Sequence, residues 1–233
     1  METSAFLELV RLVVDGDVDK VSRRLHASPA LAIMALPVSV TLKEATDSFF
    51  TEICHYMYGG DTALHMAAAA FSRRMAELLV SNGADCRAKN RRGAEPLHYA
   101  SDANRSEPQA QADVIKYLIS IGADPNAVDK SGVAPLHRAV RTRSLAAVRA
   151  LLDGGANQRQ QNKSGSTPLH LAVQTTGRGG SGSDEVRLQQ AGIIKLLLEC
   201  GARPTDKDAR GKQVEQAATS EWIRALLREG KAG

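Results

Sequence analysis

Two patterns in this 233-residue sequence are of kinds that perform chemistry. The first is TTGRGGSGSDEVRL, residues 175–188, where Gly177, Gly179 and Gly182 spell G-x-G-x-x-G ahead of a helical pattern. Glycines so spaced let backbone approach a pyrophosphate at a helix N-terminus, as in dinucleotide-binding enzymes. The second is a regular series of imidazoles, His65, His98, His137 and His170, the residue type of many metal ligands. A weaker third is Cys54 beside His55, the side chains of a thiol nucleophile and its base.

Each chemistry depends on the elements that would position it. The glycine fingerprint needs a preceding strand and a βαβ unit around it. Here PLHLAVQ, which reads as helix, comes first, no following strand carries an acid about twenty residues on, and the Lys-Ser/Thr of a phosphate-binding loop is missing. The glycines therefore read as a flexible turn. The alternative is an anion site over Gly177–Asp184, with Arg178, backbone N–H groups and the helix N-terminus at Ser183 as donors. Packed helices sit roughly 8–10 Å apart, whereas zinc ligands each lie about 2.0–2.1 Å from the ion. Adjacent histidine rungs therefore do not share a metal. Neighbouring residues on a helix point in different directions, which separates Cys54 from His55. No serine sits in a nucleophile elbow. The chain is expected to be no enzyme and to need no metal or cofactor.

Composition is that of a soluble globular protein: 43% hydrophobic, 24% charged and only 4% aromatic, so the core must be aliphatic. The net charge of +4 mildly favours acidic partners. Three cysteines, Cys54, Cys86 and Cys200, form no disulfide framework and suit a reducing compartment; Cys86 and Cys200 read as buried or incidental. The most apolar stretch, Ala30 to Leu42, is too short to span a bilayer and contains Pro37. The expectation is a cytoplasmic chain that makes no membrane contact.

The histidines belong to a longer phrase. TALHMAA begins at Thr62, EPLHYAS at Glu95, APLHRAV at Ala134 and TPLHLAV at Thr167. After each comes a second helical phrase ending in glycine, at Gly83, Gly122, Gly155 and Gly201, and then a turn before the next glycine-led unit. The leucines Leu64, Leu97, Leu136 and Leu169 are 33, 39 and 33 residues apart, and Gly165 and Gly211 are 46 apart. Thr before Pro suits a helix start, and a glycine suits the left-handed residue that ends one. The six residues added within SDANRSEPQAQAD and the thirteen within QTTGRGGSGSDEVRLQQAG both fall between a unit's first and second helix. Ser106 and Ser183 read as caps of lengthened second helices. No unit buries its apolar face alone, so the units must stack.

A period of 33 with T-P-L-H is the ankyrin signature, and the chain resembles the ankyrin-repeat family from about Gly59 to Gly230. The implied fold is all-α, a solenoid of stacked helix-turn-helix units joined by β-hairpin fingers. The domain reading is one continuous body. Residues 1–58 form N-terminal capping helices plus an irregular segment, and 59–230 form units starting near 60, 93, 132, 165 and 211. At the N-terminus Phe6, Leu7, Val10 and Val13 make one apolar stripe and Val18, Val21 and Leu25 another, with Asp15-Gly16-Asp17 as the turn. Lys43 to Tyr56 reads as a helix with Phe49, Phe50 and Ile53 inward. At the C-terminus Ser220 caps a helix anchored by Trp222. With both ends capped, the chain is expected to be monomeric.

The resemblance also implies roles. The four histidines would hydrogen-bond backbone near the fingers. A protein partner would dock on the concave face, built from finger tips and the last residues of each first helix. Carried over position by position, that face includes Lys89, Arg91, Arg92, Lys130, Gln161 and Lys163 on fingers, and Asp102, Arg141 and Gln174 on first helices. Six are basic and one is acidic, with Arg87, Arg138, Arg143 and Arg159 nearby. The expected function is a protein-interaction module, an adaptor or regulator, whose basic groove takes an acidic partner. The alternative is a nucleic-acid or phosphate binder using the same residues. It is disfavoured because the tips lack aromatics for base stacking and +4 is modest for a duplex-binding surface.

Overall fold

The structure, a computed structural model, describes residues 2–37, 49–102, 107–174 and 183–229. Helix α1 (Glu2–Val14) buries Phe6, Leu9, Val10 and Val13, and α2 (Val18–Ala27) buries Val21 and Leu25. Gly16 turns between them, and Asp17 caps α2 by accepting the Lys20 N–H at 3.0 Å. Past a 3₁₀ turn at Pro29–Ala32, the Leu36 N–H donates to the Asp61 carbonyl, and the Leu36 carbonyl accepts from Gly60. The N-terminal segment is thereby tied to the first unit by backbone.

The helix expected over Lys43–Tyr56 is not what the described residues form. Strands β1 (Phe49–Phe50) and β2 (His55–Tyr56) pair antiparallel, Phe49 opposite Tyr56. A 3₁₀ turn at Thr51–Ile53 and a left-handed Cys54, φ 48°, connect them. Phe50 and Ile53 do face inward, whereas Phe49 and Tyr56 stack outside with ring centroids 4.6 Å apart. Aromatic and β-branched residues with alternating burial fit an extended hairpin better than a helix.

Four helix pairs follow: α3 (Ala63–Ala69) with α4 (Arg73–Ser81), α5 (Pro96–Ala100) with α6 (Pro108–Ser120), α7 (Pro135–Arg141) with α8 (Leu145–Asp153), and α9 (Pro168–Ala172) with α10 (Asp184–Glu199). A shorter pair, α11 (Val214–Ala217) and α12 (Glu221–Glu229), closes the stack. Leu64, Leu97, Leu136 and Leu169 are all buried in one continuous aliphatic core. On α12, Ile223 and Leu227 are buried and Trp222 packs against the core from a half-buried position.

Lengths alternate along the stack. The first and third pairs have helices of 7 and 9 residues, the second of 5 and 13, the fourth of 5 and 16. In the short pairs the chain reverses through a left-handed residue, Phe71 or Arg143, and Ser72 or Ser144 caps the second helix. In the long pairs a buried glutamine of the second helix reaches back to the end of the first. Gln111 Nε2 donates to the Ala100 carbonyl at 2.9 Å, and Gln190 Nε2 to the Ala172 carbonyl at 2.7 Å. Ser183 caps α10 as expected. In α6 Glu107 holds the cap position, and Pro108 fixes the first helical residue. Ser106 and the glycines Gly177, Gly179 and Gly182 lie outside the described residues.

Candidate functional site

The fingers share one local plan. Asn90, Asp129, Asn162 and Asp208 each stand three residues before a left-handed glycine, Gly93, Gly132, Gly165 and Gly211. In every finger that side-chain oxygen accepts backbone N–H groups two and four residues on; for Asn162 these are Ser164 and Ser166, at 2.9 and 3.1 Å. One backbone bond then joins each finger to the next: Arg91 N–H to Gly59, Lys130 to Arg92, Lys163 to Ser131 and Ala209 to Ser164, at 2.8 to 3.1 Å. This stacking leaves no room for a side chain at Gly132, where an added Cβ would lie 2.8 Å from the Lys163 nitrogen.

The histidines lock that plan from inside. Nδ1 of His65, His98, His137 and His170 accepts the N–H of the residue three before it, at 3.1 to 3.2 Å. An N–H can only donate, so the proton sits on Nε2. From there it reaches the last finger carbonyl of the next unit: Ala94, Val133, Ser166 and Lys212, at 3.1 to 3.3 Å. Burial is the main cause that lowers the His65 and His137 pKa values and takes His98 to about 4. The rings are neutral struts between units.

The column of second finger positions reads Arg91, Lys130, Lys163, Ala209, and the third reads Arg92, Ser131, Ser164, Arg210. Lys130 and Lys163 are exposed on successive rungs. Lys89 lies 3.6 Å from buried Glu95 and neutralises it in part; burial nevertheless raises the Glu95 pKa. Gln161 donates to the Lys207 carbonyl at 3.0 Å. The exposed Gln174 lends its carbonyl to Arg143 at 2.9 Å and to Gln190 at 3.1 Å. Asp102 accepts from Arg138 at 3.2 Å and from Arg141 at 2.8 Å, and Arg138 also binds Asp129 at 3.1 Å. Burial pushes the Asp129 pKa up, but the N–H groups of Val133 and Ser131 and the Arg138 guanidinium bring it below the usual value. Arg87 donates to the Gly122 carbonyl, and Arg159 makes two bonds to Asp206, so both join units rather than face outward freely.

Some residues at this face had no clear signal in the repeat. Arg210 occupies the same finger position as Arg92, in a unit read only as a cap. Tyr58 precedes the first finger, and its ring centroid lies 4.3 Å from the Arg92 guanidinium and 6.0 Å from that of Arg91. His55 donates from Nδ1 to the Tyr56 carbonyl and stacks on Tyr99 at 4.5 Å. Tyr99 in turn donates to Asp61, a fully buried carboxylate that also accepts from Asn90 and from the Tyr58 N–H. Cys54 and Cys200 are exposed and Cys86 is half-buried, so of the two readings for Cys200, buried or incidental, the second holds. No helix among the described residues is long and apolar enough to cross a membrane.

A family profile described as ankyrin repeats (3 copies) matches residues 42–129 and 106–208. No curated protein matches the chain.

Proposed function

The chain belongs to the ankyrin-repeat family, whose repeats are generally protein–protein interaction modules and typically not catalytic, and on that premise we propose a non-catalytic adaptor or regulator that binds an acidic segment of a partner protein. The observation that carries this reading is the finger column Arg91, Lys130 and Lys163, with Arg92 and Arg210 beside it. Those cations are held in register by one backbone bond per rung. Lys89, Asp102, Arg141, Gln161 and Gln174 complete the face. A charged column speeds encounter with an opposite charge and makes binding sensitive to salt. Nucleic acid would call for stacking rings at successive tips, and among the described residues aromatic rings stand only beside the first. Three free cysteines accord with a reducing, cytoplasmic setting.

The test is a crosslinking capture from native extract with wild type and an Arg91→Glu, Lys130→Glu, Lys163→Glu variant. Lys89 is left in place because it neutralises buried Glu95. The reading expects a protein held by wild type, lost by the variant and indifferent to nuclease. Capture that survives the charge reversals moves the interaction off the fingers. Capture abolished by nuclease replaces the partner with nucleic acid.

A further inference from the structure

A cavity of about 370 Å³ opens between the β1–β2 hairpin and the inner helices. Cys54, His55 and Tyr56 line it from the hairpin, Tyr58 from the segment before the first unit, and Asp102, Arg141 and Thr142 from the ends of α5 and α7. Tyr58 makes the cavity continuous with the fingers, since the same ring carries Arg92.

Charge at the cavity wall, in Asp102 and Arg141, and behind it, in Arg138 and Asp129, is sorted by depth. Asp102 and Asp129 are only 19% and 10% exposed and share Arg138, itself 11% exposed. Arg141 completes the network and is 63% exposed. Four charges cancel, yet the one facing solvent is a cation. The bond from Arg141 to Asp102 uses a single terminal nitrogen, Nη2. A guanidinium is a planar five-donor fork suited to bidentate capture of a carboxylate. Asp102 holds that fork at the cavity while Arg138 keeps Asp102 itself satisfied. Thr142 turns its hydroxyl to backbone carbonyls and serves as wall. Tyr56 and Tyr58 offer rings to the carbon stem of whatever carries the acid.

We propose that this cavity receives one aspartate or glutamate side chain of the acidic segment, with Arg141 as its receptor, and so anchors that segment at the N-terminal end of the finger column. The proposal rests on the acidic-partner reading and adds the place where such a segment is fixed. Arg141 binds the ligand; Asp102 is a positioning residue.

Fluorescein-labelled decaglutamate with an amidated C-terminus is the probe, read by anisotropy at low ionic strength. Arg141→Gln is expected to weaken binding about tenfold, the size of one hydrogen bond to a charged group. Tyr56→Ala, which leaves Arg141 untouched, is expected to weaken it by a smaller factor. Bound peptide is also expected to slow alkylation of Cys54 relative to Cys200, both exposed thiols, with Cys200 outside the cavity at the end of α10. Failure of wild type to bind the peptide removes the acidic-partner reading and the anchor together. Binding that falls in a Lys130→Glu, Lys163→Glu variant, but is unchanged in Arg141→Gln and leaves Cys54 fully reactive, keeps the groove and overturns the anchor. Protection of Cys54 by a peptide with a free C-terminal carboxylate, and not by the amidated one, assigns the cavity to a chain terminus and overturns the side-chain assignment.

Discussion

The two edges of the stack obey different rules. At the finger edge all four units repeat one construction: an Asn or Asp oxygen collecting two N–H groups, a left-handed glycine, a histidine strut and one bond to the next rung. At the opposite edge, where first helix turns into second, two constructions alternate. Units one and three turn tightly, while units two and four carry extra residues and lengthened helices. The third unit's turn is bonded to both neighbours. Ser144 donates to Gln111 at 2.6 Å, and Arg143 donates to the Gln174 carbonyl. The finger edge sets the stack's register, and the turn edge is where the chain absorbs added length.

Substitutions that separate the two edges follow from this difference. The largest effect belongs to the finger edge. Gly132→Ala meets both a φ of +72° and the Lys163 backbone, and is expected to destabilise by about 3 kcal/mol. Gly211→Ala, at φ +76° with open space around it, should cost about 1 kcal/mol. Urea unfolding of the pair measures the difference, and equal losses would deny that close stacking of fingers is what excludes a side chain.

Acid comes next. Unfolded histidines titrate near 6.5, whereas folded His98 titrates at about 4, and His65 and His137 are also lowered. Between those pH values the unfolded chain binds more protons, so stability rises with pH across the window and is fully present above 6.5. At pH 5 His98 alone withdraws about 2 kcal/mol. His98→Gln should flatten the dependence of melting temperature on pH between 7 and 5; an unchanged slope would place the acid sensitivity elsewhere.

At the turn edge Gln190→Ala leaves the Ala172 carbonyl without its side-chain donor and is expected to cost about 1–2 kcal/mol. Gln111→Ala, which removes the corresponding bond to Ala100 and also the acceptor of the Ser144 hydroxyl, should cost at least as much. The smallest effect is deletion of residues 177–182, expected to shift stability by less than about 1 kcal/mol because the entropy of closing a loop grows only slowly with its length. A large loss would give that insertion a structural part.

Most of the stack was legible in the sequence because one unit was written four times. Leu64, Leu97, Leu136 and Leu169 announce the core face, Gly83, Gly122, Gly155 and Gly201 the helix ends, and the 39- and 46-residue spacings locate the added length. The finger anchors Asn90, Asp129, Asn162 and Asp208 were also in plain sight, three residues before each glycine. Their Asx chemistry follows no apolar period, so the helical pattern does not point to them. The hairpin at residues 49–56 is hidden for the opposite reason: it occurs once, and two-residue strands carry too few positions for a period. The Asp102–Arg138–Arg141 network joins residues 36 and 39 positions apart on different units, and no local pattern encodes it. By sequence Asp102 is the one acid on a basic face; in the fold it is covered by two arginines.

The single backbone bond between successive fingers has a consequence for how the stack comes apart. The amides of Arg91, Lys130, Lys163 and Ala209 each report one junction, because each is protected only while its finger lies against the previous one. Their hydrogen-exchange rates form a four-point gauge of where the array opens first. Fraying from the C-terminal cap would release Ala209 ahead of Lys163 and Lys130, and a partner lying along the column would slow all three together.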